Sequence, residues 1–388
     1  MTPAARYQAA IEILDVVLSG VPVEQALTGW ARRSRYAGSG DRAAVRDHVF
    51  DAVRCKRSFA ATGGAMTGRG LVLGALRQSE IAPVTIFDGT NYGPAALSEA
   101  EQNAGHAPET DAEQLDIPDW LWPVWCDSLD QHAKPVAQAL QHRAPVFLRV
   151  NLAQTTRETA IADLAEQGVE AIAHAASVSA LQVSSGARRV RQSQIYQSGG
   201  VELQDAASQA VVDSLPLRDG MRVLDYCAGG GGKALAIAAR AQVKVFAHDI
   251  AADRMRDLPA RAERAQAQIT LLDPGAAPEN DPFDIVLCDA PCSGSGSWRR
   301  APDAKWQLDP ARLDDLTDLQ DQVLDEAARL VGKNGILAYA TCSVLRAENE
   351  DRIAAFLARS PGWSCVFSAA WLPDQGTDGF YTAHLMRV

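Results

Sequence analysis

An α/β fold built on a parallel sheet is predicted for the larger part of this sequence, and three observations predict it. From residue 201 to the end, short apolar strand patterns alternate with helical ones, as a parallel sheet covered by helices requires. Two of those strands, around Ile285-Val286-Leu287 and Ile336-Leu337-Ala338-Tyr339-Ala340, stop at polar loops that carry thiols, Asp289-Ala290-Pro291-Cys292 and Thr341-Cys342-Ser343. A third, Met221-Arg222-Val223-Leu224-Asp225-Tyr226, runs straight into Cys227-Ala228-Gly229-Gly230-Gly231-Gly232-Lys233, after which a helical pattern begins near Ala234. The preceding residues read differently, helical at first and then a short strand–helix–strand stretch. The expected architecture is a Rossmann-like α/β domain over 201–388, a small α/β subdomain over 145–200, a linker and helical segment over 81–144, and an all-α domain over 1–80.

Length and composition bound the rest. A chain of 388 residues has room for two or three domains with their own cores. With 47% hydrophobic and 22% charged residues it has the balance of an ordinary globular protein. No apolar run approaches the roughly 20 residues of a membrane span, and the first residues lack a basic-then-apolar signal layout, so a cytoplasmic protein without a membrane partner is expected. The seven cysteines are odd in number and widely spaced, which fits reduced thiols rather than a disulfide scaffold. A net charge of -11 argues against a polyanionic partner, but its distribution weakens the objection: residues 1–80 carry +4 and the other 308 carry -15.

Taken in order, Ile11, Leu14, Val17 and Leu18 fall at helical spacing, and Gly20-Val21-Pro22 should end that helix. A second helix is expected from about Pro22 to Trp30, then a basic loop with Arg32, Arg33, Arg35, Tyr36 and Arg42, then a helix capped by Asp41 with Val45, Val49, Phe50 and Val53 on one face. Arg46, Arg54, Lys56 and Arg57 lie near that loop in the sequence. Two readings stand for the basic residues, contact with phosphates or the solvated face of a helical bundle. Residues 81–130 contain no Lys or Arg, and Trp120, Trp122 and Trp125 beside Pro118 and Pro123 read as packing residues. Residues 147–150 and 180–184 read as strands around a helix from Thr156 to Gln167, with the basic Arg188-Arg189-Val190-Arg191 following.

The glycine loop between a strand and a helix lets the backbone approach a ligand and places a helix start beside it. A second strand, 243–247, ends in His248-Asp249, so a carboxylate lies about 20 residues past the glycines, where Rossmann-like sheets hold ribose hydroxyls. A phosphate-cradling P-loop would need Gly at 227 and Ser or Thr at 234, where the chain has Cys227 and Ala234. A nicotinamide fingerprint fits Gly229, Gly231 and Ala234. Asp225, an acid just before the loop, suits a cofactor with an ammonium or other polar groups and points to S-adenosylmethionine. Cys288 and Cys292 have no second close Cys/His pair to complete a zinc site, so no metal is expected.

The segments D-A-P-C-S-G-S-G-S-W-R-R-A-P-D-A-K-W (289–306), Y-A-T-C-S-V-L-R-A-E-N-E (339–350), C-A-G-G-G-G-K (227–233) and D-G-F (378–380) together resemble the RsmB/Nop/Sun family of RNA cytosine-5 methyltransferases. The resemblance covers roughly 145–388. Residues 1–80, with R-Y-A-G-S-G-D-R, look like the helical NusB-like RNA-binding domain of the bacterial rRNA members. The resemblance implies a Rossmann-like class I methyltransferase domain that uses S-adenosyl-L-methionine on RNA, with rRNA favoured and tRNA as the rival. It assigns Cys342 as the thiolate that adds to carbon 6 of the cytosine, Asp289 as the group at the nitrogen 3 edge, and Cys292 as the residue of the release step. Lys233 either lowers a thiol pKa or forms a structural ion pair. Cofactor contacts are implied at Asp225, Cys227, Ala228, Gly229, Gly230, Gly231, Lys233, Asp249, Arg254, Asp273, Asp289 and Pro291. The family's loop usually reads C-A-A-P-G-G-K, so Gly229-Gly230 replace Ala-Pro here, and the added loop freedom bears on cofactor affinity. Arg299, Arg300 and Lys305 are expected to line an RNA entrance together with Arg32, Arg33, Arg35 and Arg42 of the helical domain. Trp306 reads equally as a stacking or a packing residue. A monomer is expected. Two rivals from other classes are a non-catalytic RNA-binding assembly factor, which intact Asp289, Cys292 and Cys342 argue against, and a thiol-dependent oxidoreductase on the same glycine loop.

Overall fold

Apolar side chains at helical spacing build the first part of the chain. The computed structural model describes residues 1–90, 92–275 and 282–388. Its contacts form two units, Met1–Arg143 with Trp298–Leu308, and Ala144–Ser297 with Asp309–Val388. In the first, helices α1 (Pro3–Leu18), α2 (Val23–Arg33), α3 (Ser39–Arg54), α4 (Lys56–Gly63) and α5 (Gly68–Arg77) enclose a core with Leu14, Trp30, Val45, Val49 and Leu71. Thr2 caps α1 by accepting from Ala5 N, and Pro3 occupies a first-turn position where its missing N–H costs nothing. Helices α4 and α5 cross so closely that a Cβ on Gly74 would stand 1.9 Å from the Phe59 carbonyl oxygen.

Several local expectations change. Arg32 and Arg33 are the last turn of α2 rather than a loop, where a cation favours the helix dipole. Asp41 does not sit at the cap: Gly38 does, and Asp41 at the third helical position accepts from Gly38 N at 3.3 Å while pairing with Arg6 at 2.8 Å. Arg54 and Arg57 are structural. Arg54 is 5% exposed and donates to Arg299 O, and Arg57 donates to Ile117 O. The low-charge segment, expected as a linker with helical stretches, also holds α4 in place: buried Asp116 accepts from Arg57 N and Ser58 N at 2.8 and 2.9 Å, the otherwise unpaired donors of that helix's first turn.

The segment Trp298–Leu308, expected to rim an RNA entrance, is largely interior. Trp298 is 1% exposed and stacks on Trp125, ring centroids 5.9 Å apart. Arg299 is 4% exposed, and Lys305, at 1%, donates from Nζ to Arg54 O at 3.1 Å, closing the carboxyl end of α3. Burial pushes the Lys305 ammonium down to about 8. Trp306 packs on the same core, its indole donating to Val53 O at 2.7 Å. Among these expected entrance residues only Arg300 is exposed.

The second unit has two sheets. Strands β1 (Val146–Val150), β2 (Glu170–Ala173), β3 (Ala180–Ser185) and β4 (Val201–Leu203) form an antiparallel sheet in the order β2-β3-β1-β4. Leu148 faces Leu181 on one side and Leu203 on the other, over a core with Leu164 and Val190. Residues 201–203, expected to open the large domain, are thus the edge strand of the small sheet. The larger sheet contains β5 (Arg222–Asp225), β6 (Lys244–Ala247), β7 (Ile269–Leu271), β8 (Phe283–Asp289), β9 (Val331–Thr341), β10 (Trp363–Trp371) and β11 (Phe380–Arg387) in the order β10-β11-β9-β8-β5-β6-β7. From β9 to β7 it is parallel, and β10 and β11 add an antiparallel edge. Ile285, Val286, Leu287 and Cys288 are all at 0% exposure because β8 is central with both faces covered. The chain leaves β5 in one direction to β6 and β7 and returns on its other side at β8. This reversal opens a crevice at the carboxyl ends of β5 and β8, the Rossmann-like arrangement.

No helix among the described residues is long and apolar enough to cross a membrane. Replacing the stacked Trp298 by Ala should lower the stability of the helical unit by about 3–5 kcal/mol, read as a lower urea midpoint.

Candidate active site

The last rung between β8 and β9 is the hydrogen bond from Ala290 N to Ala340 O at 2.8 Å. Two residues beyond it on each strand stand Cys292 and Cys342, whose sulfurs are 3.4 Å apart and half-buried. Their surroundings differ. Cys342 faces the Lys233 ammonium and the Ser297 hydroxyl, whereas Cys292 has the buried carboxylate of Glu348 nearby. The contact with Cys292, together with the Lys233 charge, holds Cys342 below the ordinary thiol range. The same contact, with burial, holds Cys292 well above it. Of the two thiols, Cys342 is the one whose surroundings favour ionisation.

Lys233, in the helix Gly232–Ala238, is 6% exposed and forms an ion pair with Asp289 at 2.7 Å, its Nζ also lying 5.0 Å from the Phe380 ring centroid. The ion pair with Asp289 is formed, and the Lys233 charge also bears on Cys342. Asp225, at the end of β5, is 1% exposed, and among the described residues neither carboxylate oxygen has a well-formed hydrogen bond. Burial first, and the Asp289 charge second, push it up to about 7 against the opposing pull of Lys233. Such an unsatisfied acid fits a ligand that brings a cation or N–H donors.

The glycine loop is fastened at each turn. Gly229 has φ of +51° and Gly231 of +76°, conformations that side chains with a Cβ rarely take, and a Cβ at 231 would stand 2.2 Å from Leu258. Gly229 N donates to Asp249 Oδ2 at 2.9 Å, Ala251 N donates to Oδ1 at 2.9 Å, and Arg254 pairs with Oδ2 at 3.0 Å. Arg261 donates to Gly230 O and pairs with Glu202, which also pairs with Arg264 at 2.7 Å. Arg149 on β1 donates to Gly232 O at 2.6 Å. The small sheet thus supplies two of the tethers, which compensate for the freedom of four consecutive glycines. Ala228 is buried, and the sulfur of Cys227, pushed up by burial, is unsuited to ionisation. Asp273 is exposed just past β7, at the same sheet edge.

Glu348 lies in the Y-A-T-C-S-V-L-R-A-E-N-E segment without an expected role. It is 0% exposed, and its carboxylate accepts from Ser293 N at 2.7 Å, from the hydroxyls of Ser293 and Ser343, and from Gln320 Nε2 at 3.1 Å. Gln320 also donates to Pro291 O, and Asn349 accepts from Thr341 Oγ1 at 2.6 Å and donates to Ser343 O. These groups tie the loop of Cys292 to the loop of Cys342. The available signal was R-A-E-N-E, a polar run within six positions of a strand-end thiol. Gly379 joins the same knot, donating to Gly296 O at 2.9 Å while Gly296 N donates to Cys342 O at 2.9 Å. Asp225, Lys233, Asp289, Cys292 and Cys342 are brought together. Lys305 and Arg299 are not, since both are interior to the helical unit.

A model described as 16S rRNA methyltransferase RsmB/F matches residues 212–386, and one described as the RsmF/B-like ferredoxin-like domain matches 117–190. A ribosomal RNA small subunit methyltransferase B of Xylella fastidiosa strain Temecula1 is 34% identical over 292 residues, 69% of this chain and 68% of that protein. That of Yersinia pseudotuberculosis serotype O:1b is 30% identical over 338 residues, 82% of this chain and 73% of the relative. The chain belongs to the RsmB/F methyltransferase family. The family's methyl donor is S-adenosyl-L-methionine. Against the homologous enzyme of Vibrio vulnificus strain YJ016, 30% identical, the chain spans 66% of the relative's length. The crystal structure of PH0851 shares the fold with a TM-score of 0.78 at 22% identity, covering 100% of this chain and 99% of that one. A methyltransferase homologue from Pyrococcus horikoshii shares it at 0.64 with 20% identity, covering 72% of this chain and 98% of that one.

The asymmetry of the thiol pair is measurable. Under limiting iodoacetamide at pH 7, peptide mapping should find Cys342 alkylated ahead of Cys292, and Lys233→Met should slow Cys342 because removal of the cation raises its pKa.

Proposed function

We propose that this RsmB/F family protein methylates carbon 5 of a cytosine in RNA, with small-subunit rRNA as the substrate. The observation that carries the reading is the pair Cys292 and Cys342, sulfurs 3.4 Å apart, beside the Lys233–Asp289 ion pair at the carboxyl edge of the sheet. S-adenosyl-L-methionine supplies an electrophilic methyl group on a sulfonium. Asp225, with its unsatisfied buried oxygens, and the loop of Cys227, Ala228, Gly229, Gly230 and Gly231 would hold it, with Asp249 and Arg254 beside the ribose, Asp273 at the adenine, and Lys233, Asp289 and Pro291 closing the site.

The two thiols divide the chemistry. Carbon 5 of cytosine is a poor nucleophile until carbon 6 carries an added group. The Cys342 thiolate makes that addition, with Asp289 at the nitrogen 3 edge stabilising the electron-rich ring. Once carbon 5 is methylated, its proton must leave, the ring double bond re-forms and Cys342 is expelled as a thiolate. Cys292, in contact with Cys342, serves that release. The base must be unpaired or flipped, because a stacked cytosine cannot present carbon 6 to a strand-end thiol.

In this reading residues 1–80 bind RNA through Arg32, Arg33, Arg35 and Arg42, all exposed, with Arg300 as a further contact. Residues 81–143 pack with the helical unit, the small sheet through Leu203 forms an RNA-recognition-like subdomain, and the larger sheet with its helices carries the catalysis. The protein acts as a cytoplasmic monomer whose partner is RNA.

Incubated with cellular RNA and S-adenosyl-L-methionine, Cys292→Ala should accumulate a covalent protein–RNA adduct that survives a denaturing gel, and Cys342→Ala should form none. Equal adduct in both variants would overturn the assignment of roles.

A further inference from the structure

Two thiols held 3.4 Å apart are also the two halves of a disulfide. Bonded sulfurs lie at about 2.05 Å, so the pair must close by roughly 1.4 Å from its 3.4 Å separation. Both residues stand just past the last rung, Ala290 N to Ala340 O, and the bond from Gly296 N to Cys342 O joins the two loops. Glu348 holds both loops at this spacing.

The other five thiols have different settings. Cys55 and Cys288 are buried, and burial pushes both up. Cys227 is pushed up in the same way, Cys126 lies in the helical unit, and the exposed Cys365 donates its S–H to Phe367 O. Cys342 is partly exposed, so a small oxidant reaches it, and it faces the Lys233 ammonium. Thiolate character, access and an adjacent resolving thiol are what distinguish cysteines that react reversibly with peroxides.

We propose that Cys342 and Cys292 form a peroxide-sensitive modification site in which a hydroperoxide oxidises Cys342 and Cys292 converts the product to a reversible disulfide. In the first step the Cys342 thiolate attacks the terminal oxygen of the hydroperoxide. The O–O bond breaks, sulfur is oxidised to a sulfenic acid, and the peroxide is reduced to an alcohol or water after taking up one proton. In the second, Cys292 loses its proton and attacks the sulfenic sulfur, the S–O bond breaks, and water leaves as the S–S bond forms. Two thiols and one hydroperoxide give one disulfide, one alcohol or water from the peroxide, and one further water. The disulfide removes the nucleophile, which halts methyl transfer, and it protects Cys342 from irreversible oxidation to the sulfinic acid. The proposal rests on the thiol geometry and not on the identity of the RNA.

The test uses the full chain treated with stoichiometric hydrogen peroxide and mapped by mass spectrometry without reduction. The expected first product is a linked pair of peptides containing Cys292 and Cys342, lighter by two hydrogens than the separate thiol peptides and separated again by dithiothreitol. Cys292→Ser should give no linked pair and should stop at the Cys342 sulfenic acid, which a second equivalent of peroxide carries to the sulfinic acid, whereas Cys365→Ser should leave the linked pair unchanged. Sulfinic acid at Cys342 forming as fast in the unsubstituted protein as in Cys292→Ser would overturn the proposal. So would consumption of the peroxide by Cys365 before any linked pair appears.

Discussion

A carboxylate with no exposure to solvent holds the reactive end of this molecule together. Glu348 would be costly to bury alone, since an ionised acid in the interior loses several kcal/mol of hydration on an order-of-magnitude scale. It is tolerated because two serine hydroxyls, a backbone N–H and a glutamine amide all point at it. Those donors come from two different strand-end loops and from the helix Pro310–Ala328. The sheet ladder brings β8 and β9 side by side but ends at Ala290 and Ala340. Past that point the spacing of the two thiols depends on the Glu348 knot, on the bond from Gly296 N to Cys342 O, and on the close approach of Gly296 to Gly379.

The electrostatics follow from this packing. Lys233 is buried among Asp289, Asp225 and Cys342, and its charge is shared between an ion pair and the thiolate. Asp225 receives too little of it, and burial raises its folded pKa to about 7 from an ordinary value of 3.8. The unfolded chain loses that proton first, so this group's contribution to stability declines as pH rises from 3.8 to about 7, and the penalty is fully present above that. A ligand carrying positive charge next to Asp225 relieves the penalty. The cofactor crevice is thus destabilised in advance in the sense that its ligand corrects, while the arginine tethers to the glycine loop keep the backbone from collapsing into it.

Much of this was legible in the chain because the informative signals are local. An apolar run that ends at Asp289 or at Thr341-Cys342 is a strand terminus whatever surrounds it, and parallel strands deliver such termini to one edge. The glycine loop and Asp249 follow from spacing in the same way. What could not be read depends on partners far away in sequence. Lys305 and Arg299 look like surface charges, but the Lys305 ammonium donates to Arg54 O and the Arg299 carbonyl accepts from Arg54, at the end of α3 some 250 positions earlier. Trp298 reads as a rim residue until Trp125 is seen against it. Glu348 sits in a run that resembles a solvated turn, and its donors on Ser293 and Gln320 lie 55 and 28 positions away. Val201–Leu203 was placed with the wrong sheet because a three-residue strand has too few alternations to show which neighbour it pairs with.

The central claim is that the spacing of the two thiol loops, fixed by Glu348, is what makes the site competent. Single-turnover methyl transfer to RNA by Glu348→Ala, with S-adenosyl-L-homocysteine affinity measured by calorimetry on the same preparation, tests it most directly. The account predicts a rate lower by about 10²-fold, the scale of a misplacement near 1 Å, with the affinity unchanged. A rate equal to that of the unsubstituted protein would contradict it.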